Sequence, residues 1–179
     1  GFPRVYAIAA ELISHADGRI EYKNLSQFVA AYQSVADLKL GELWAIPIML
    51  RLALIENLSR VSARIAREQV EHEAAGLWAQ RIADAAKRNP TEVLYVAAEM
   101  ALSGHAMSKS FVVDFSRRLQ MGNQDFSIAL TWIDQHLSEQ GVTREQLIHE
   151  ESQSQAADQV SIGNTISSLR TLQAIDWRE

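Results

Sequence analysis

Five side chains stand where they could do chemistry at close range: Trp44, Arg51, Glu56, Glu68 and His72. Glu68 and His72 are four apart, so on a helix they share a face with Ile65. That spacing suits an acid–base pair or half of a metal site. It equally suits a polar pair that ties helices together, and two ligands are too few to hold a metal. Glu145 and His149 repeat the spacing near a helix start. Arg51 lies in the most apolar stretch of the chain, five residues before Glu56. A buried guanidinium must be paired and hydrogen-bonded. Arg51 therefore reads as a buried ion pair or a clamp on the carbonyls of another helix. An anion site or a contact with a neighbouring domain is the functional alternative. Trp44 and Trp78 read as core or interface anchors ahead of sugar-stacking platforms. We treat the five as a candidate interaction or buried polar cluster and expect no catalytic, cofactor-binding or metal-ligating residue.

The usual local motifs are missing. Helical bundles build di-metal sites from Glu three residues before His, twice. Here the residues three before each His are Leu12, Gln69, Leu102, Ile133 and Gln146. His72-Glu73 does not continue as a zinc motif, because Gly76 stands where the second His would be. No glycine-rich phosphate loop and no Gly-x-Ser-x-Gly elbow occurs.

The elements that must position these residues are helical. Val5, Ile8, Ala9, Leu12 and Ile13 repeat at three and four, and Asp17-Gly18 supplies a reversal. A second helix is expected from about Asn24, striped by Leu25, Phe28, Val29 and Tyr32. The stretch from about Gly41 to Asn89 reads as one long helix or two broken near Gly76, with a kink or restart at Pro47. From Leu43 to Ile55 almost every side chain is apolar, which predicts burial on most sides. Asn89-Pro90-Thr91-Glu92 reads as a start in which Asn89 caps, Pro90 takes the first position and Glu92 reaches back. Stripes through Met107–Leu119 and Phe126–Leu137 follow, ended near Gly122 and Gly141. Thr143 with Gln146 forms a capping box. The last helix is expected to run to about Ile175, with Val160, Ile166, Leu169 and Leu172 inward; its polar stretch, residues 149–159, is either exposed helix or a break. The fold class is all-α: a bundle or array of about seven to eight mostly antiparallel helices, with a long helix kinked near Pro47.

Composition agrees. In 179 residues, 47% are apolar and 22% charged, enough for a packed core. Only 8 Gly and 3 Pro occur, which disfavours sandwiches and barrels. Without cysteine there is no disulfide framework, thiolate zinc site or cysteine nucleophile. The formal charge of −5 and the lack of a basic run argue against a nucleic-acid partner. The longest apolar run, Leu43 to Leu50, is far short of the roughly 20 residues of a spanning helix. Gly1-Phe2-Pro3-Arg4 is no signal peptide and no initiator Met precedes it. The expectation is a single helical domain, 1–179, excised from a longer chain.

Several runs resemble a known family. They are Phe2-Pro3-Arg4-Val5-Tyr6; Ser14-His15-Ala16-Asp17-Gly18-Arg19; Leu40-Gly41-Glu42-Leu43-Trp44-Ala45-Ile46-Pro47-Ile48-Met49-Leu50-Arg51; and Glu56-Asn57-Leu58. Gln155-Ala156-Ala157, Asn164-Thr165-Ile166-Ser167-Ser168-Leu169-Arg170 and Asp176-Trp177-Arg178-Glu179 continue the series. Together they resemble the N-terminal region of bacterial cyclic β-1,2-glucan synthases, the family tied to nodule development. The resemblance implies a very large inner-membrane protein. Its glycosyltransferase module takes glucose from UDP-glucose and primes the chain on a tyrosine, and a phosphorylase-like module trims the glucan. By the same resemblance, this chain is a noncatalytic scaffolding or regulatory helical domain on the cytoplasmic side, itself free of cofactor. Its partners would be the other domains of the parent chain, with self-association open. No motif makes Tyr6, Tyr22, Tyr32 or Tyr95 the priming tyrosine. The alternative readings are a sugar- or nucleotide-binding helical module and, behind it, a stand-alone helical enzyme.

Overall fold

The computed structural model describes residues 3–104, 107–122 and 126–175. Gly1, Phe2, His105 and the run Asp176-Trp177-Arg178-Glu179 lie outside the described residues. Among the described residues, seven helices follow one another: α1 (Arg4–His15), α2 (Tyr22–Gln33), α3 (Leu40–Arg88), α4 (Pro90–Leu102), α5 (Lys109–Gln120), α6 (Ser127–Glu139) and α7 (Arg144–Ala174). Among the described residues there is no strand.

The helix boundaries follow from local chemistry. Asn89 accepts from the Thr91 N–H at 3.0 Å and so caps α4. Glu92 does not reach back to it. The Asn89 N–H is already spent on the Ala85 carbonyl at 2.9 Å, so the reciprocal half of the box has no donor left, and Glu92 pairs with Arg88 instead. Ser108 caps α5 through the Phe111 N–H at 3.2 Å. Thr143 and Gln146 form the expected reciprocal box, at 2.9 and 3.2 Å. α3 is one continuous helix: it neither restarts at Pro47 nor breaks at Gly76. Pro47 lies near its start and withholds only the N–H that would reach the Leu43 carbonyl. α7 is also continuous, so the polar residues 149–159 are helix.

The described chain divides into two compact units. The terminal unit is built from residues 1–64 and 156–179, the middle unit from 65–155. In the terminal unit the apolar core joins Ala9 and Ile13 of α1, Ile20, Leu25 of α2, Leu50, Ala53 and Leu54 of α3, and Leu172 of α7. In the middle unit α5 is the most deeply set helix, buried continuously from Ser110 to Ser116. Phe111 and Phe115, stacked at 5.7 Å, meet Ile82 of α3, Val93, Ala97 and Met100 of α4, and Ile133 of α6.

Two expectations about buried faces are corrected. The Leu43–Ile55 stretch is not buried on most sides. Leu50, Ala53 and Leu54 are buried, whereas Trp44 is 62% exposed and Ile48 and Ile55 are also exposed. At 100° per residue, Leu40, Trp44, Ile48, Arg51 and Ile55 fall on one narrow arc away from that buried face. On α7, Leu172 is buried and Leu169 half-buried, but Val160 and Ile166 are exposed. The inward positions are Asp158, Ser161, Thr165, Ser168 and Leu172, spaced by three and four. This seam is mostly polar, so an apolar count points to the wrong face.

Candidate functional site

The polar seam of α7 meets a polar break in the apolar row of α3. Leu50, Leu54 and Val61 are buried at helical spacing, and Asn57 occupies the position between them at 7% exposure. A buried amide must be hydrogen-bonded. Asn57 Nδ2 donates to Thr165 Oγ1 at 3.0 Å and to Ser161 Oγ at 3.1 Å, while its Oδ1 accepts from Arg60 Nη2 at 2.7 Å. Two turns further along α3 from Asn57, Arg64 pairs with both carboxylate oxygens of buried Asp158.

The turn after α1 closes onto the same seam. Ser168 Oγ donates to the Gly18 carbonyl at 2.8 Å and accepts from the Ile20 N–H at 2.7 Å. Asn164 donates to the Asp17 carbonyl at 3.2 Å. Gly18 has φ +77° and no room for a side chain: a Cβ there would stand 2.5 Å from Thr165 Oγ1. Glycine is required on both counts. Among the described residues, the runs that carry the family resemblance thus meet in space: Asp17-Gly18, Asn57, and Asn164, Thr165 and Ser168.

Beside this junction a cleft of about 230 Å³ opens between α1 and α3. It is lined by Ala10, Ile13, Ala53 and Asn57, which are buried or half-buried, and by Tyr6, Ser14, Glu56 and Arg60, the last three exposed. The Tyr6 hydroxyl donates to Glu56 Oε2. That bond holds the phenolic proton and raises the Tyr6 pKa; desolvation and the Glu56 charge add to it. The cleft can offer an acceptor in Glu56, donors in Arg60, a hydroxyl in Ser14 and some apolar surface.

The sequence candidates are not gathered into one cluster. Arg51 is exposed, not buried, and its Nη2 donates to the Leu172 carbonyl at 3.1 Å. It is a carbonyl clamp, and its partner leaves no carboxylate stranded. Glu56, five residues on, projects to a different side of α3 and serves Tyr6. Glu68 and His72 do not pair with each other. His72 Nδ1 lies 3.9 Å from Asp114, whose carboxylate accepts from Arg118 Nε at 2.6 Å. Trp44 is no core anchor; Trp78 is half-buried against the middle core, with Arg81 4.4 Å above its ring. His149 pairs with Gln153 at 2.9 Å, not with Glu145. Tyr6, Ser14, Asn57 and Arg60 were not singled out by type or spacing. The available signal was Asn57, a polar residue at an apolar-row position. Among the described residues no three metal-ligating side chains come together, and no helix is long and apolar enough to cross a membrane.

No family model matches the chain. A curated protein of Rhizobium meliloti (strain 1021) is 27% identical over 175 residues, 98% of this chain. That relative is the cyclic β-(1,2)-glucan synthase NdvB. The matched residues are only 6% of its length, so this chain corresponds to a small part of that synthase. The resemblance read from the quoted runs therefore holds along nearly the whole sequence.

Proposed function

We propose that the chain is a noncatalytic helical domain, scaffolding or regulatory, of a protein that builds cyclic β-1,2-glucan from UDP-glucose on the cytoplasmic side of the bacterial inner membrane. The observation that carries this reading is the near full-length similarity to a 6% portion of a glucan synthase. The side chains support it. Asn57, Arg64, Asp158 and Ser168 are engaged in tying α3, α7 and the turn after α1 together, which is structural work. The exposed arc of Leu40, Trp44, Ile48 and Ile55 offers a face for other domains of the parent chain. The test is removal of the segment corresponding to residues 3–175 from a full-length synthase. The expected outcome is loss of membrane-assembled, glucan-producing enzyme with its transferase residues intact. Normal assembly, elongation and cyclisation would overturn the proposal.

A further inference from the structure

We propose that the cleft between α1 and α3 of the terminal unit is a binding site for a single neutral sugar ring of the glucose type. Its size limits the occupant. At about 230 Å³ it falls below the roughly 300–1,000 Å³ of sites for drug-sized ligands. One pyranose ring fits that scale, and a complete nucleotide sugar does not. Its charge selects further. Glu56 and Arg60 stand one helical turn apart in its lining, one carboxylate against one guanidinium. A diphosphate drawn by Arg60 meets the Glu56 charge. Sugar hydroxyls suit both, donating to the carboxylate and accepting from the guanidinium.

The surface pattern matches as well. A pyranose has an apolar C–H face edged by hydroxyls. Ala10, Ile13 and Ala53 present small apolar surface beside the polar groups of Tyr6, Ser14, Glu56 and Arg60. The polar lining is preorganised from behind. Asn57 is locked by Ser161 and Thr165, and its Oδ1 holds Arg60 at 2.7 Å. Gly18, having no side chain, lets the turn pass directly beside that same Thr165. Holding polar groups before the ligand arrives lowers the ordering cost of binding. The choice of a neutral sugar ring stands on the cleft alone. The choice of glucose in β-1,2 linkage rests on the function proposed above.

The test is an amide-resolved NMR titration of the 179-residue chain with three probes: sophorose (the β-1,2-linked glucose disaccharide), maltose and UDP. We expect saturable shifts with sophorose at the amides of residues 6, 14, 56 and 60, and none there with UDP. Arg60→Ala and Glu56→Gln should each weaken binding roughly tenfold, the effect of one lost charge-assisted hydrogen bond, with the helical circular dichroism unchanged. Should Arg60→Ala unfold, Ser14→Ala on α1 serves instead. No saturable shift with either sugar overturns the site, as does a UDP response at these amides without a sugar response. Equal binding of maltose and sophorose keeps the sugar site but removes the link to β-1,2-glucan.

Discussion

The two compact units each bury one side of the same long helix, and they cover that helix with different chemistry. In the middle unit α3 presents Ala75, Ala79, Ile82 and Ala85, and α5 fills the space before them with Phe111 and Phe115. In the terminal unit the residues of α3 and α7 that meet beyond the apolar core are Asn57, Arg64, Asp158, Ser161 and Thr165. Apolar burial contributes more per residue and tolerates shifts of register, because it scales with area and has no direction. The polar seam contributes less per contact, since each hydrogen bond replaces one to water. It is exacting about geometry: a displaced α7 would strand a buried amide, a buried carboxylate and two backbone groups of the turn after α1. Along α3, position in the terminal unit is thus held by direction and in the middle unit by volume; the buried polar contact of the middle unit lies instead between α5 and α7, where Ser110 donates to Glu151 at 3.1 Å.

The largest expected effect comes from Phe115→Ala. Emptying the centre of the middle core should destabilise by about 3–5 kcal/mol. Hydrogen exchange would show it as lost protection in residues 65–155. Equal loss in residues 3–64 would mean that the units unfold as one and would erase the contrast. Asn57→Ala should cost less, about 1–3 kcal/mol, from hydroxyls of Ser161 and Thr165 left without their partner. Its distinguishing readout is order at the turn: amide shifts at Gly18 and Ile20 should move, and a cost above that of Phe115→Ala would reverse the ranking. The smallest effect is electrostatic. Tyr6 titrates above the ordinary phenol value of about 10 because Glu56 holds its proton. A folded pKa raised above the unfolded one gives stability that is fully present below pH 10 and lost as pH rises through the raised value. Glu56→Gln should move the Tyr6 titration, followed by the ring carbon shift, back toward 10. An unmoved titration would mean that the Tyr6–Glu56 bond does not form in solution.

Much of the fold is legible from the chain because helix signals are local. Asn89-Pro90, and Thr143 with Gln146, announce starts through groups one turn away, and Asp17-Gly18 announces its reversal. What a partner helix decides is not written in local spacing. Leu43–Ile55 is apolar all round, but the neighbours in the terminal unit cover only the Leu50–Leu54 face. Val160 and Ile166 are six residues apart and about 120° apart around the helix, so they could not both face inward; the seam between them is polar because Asn57, Arg64 and the Gly18 turn supply its partners. Arg51 looked buried for the same reason that Trp44 did, and both are exposed. The cleft was hidden because Tyr6 and Ser14 lie more than forty residues from Glu56 and Arg60, and no spacing rule spans that distance.

The sequence by itself determined an all-helical chain, the capping of α4 and α7 and the likeness to a glucan synthase. Each of these depends on residues within a turn or two, or on the order of residue types. Tertiary structure alone decided which face of each long helix is covered, that Asn57 and not Arg51 is the buried polar group of α3, and that Tyr6, Ser14, Glu56 and Arg60 surround one cleft. Helix formation is set by hydrogen bonds four residues apart. Burial and site geometry are set by the helix that arrives from elsewhere in the chain.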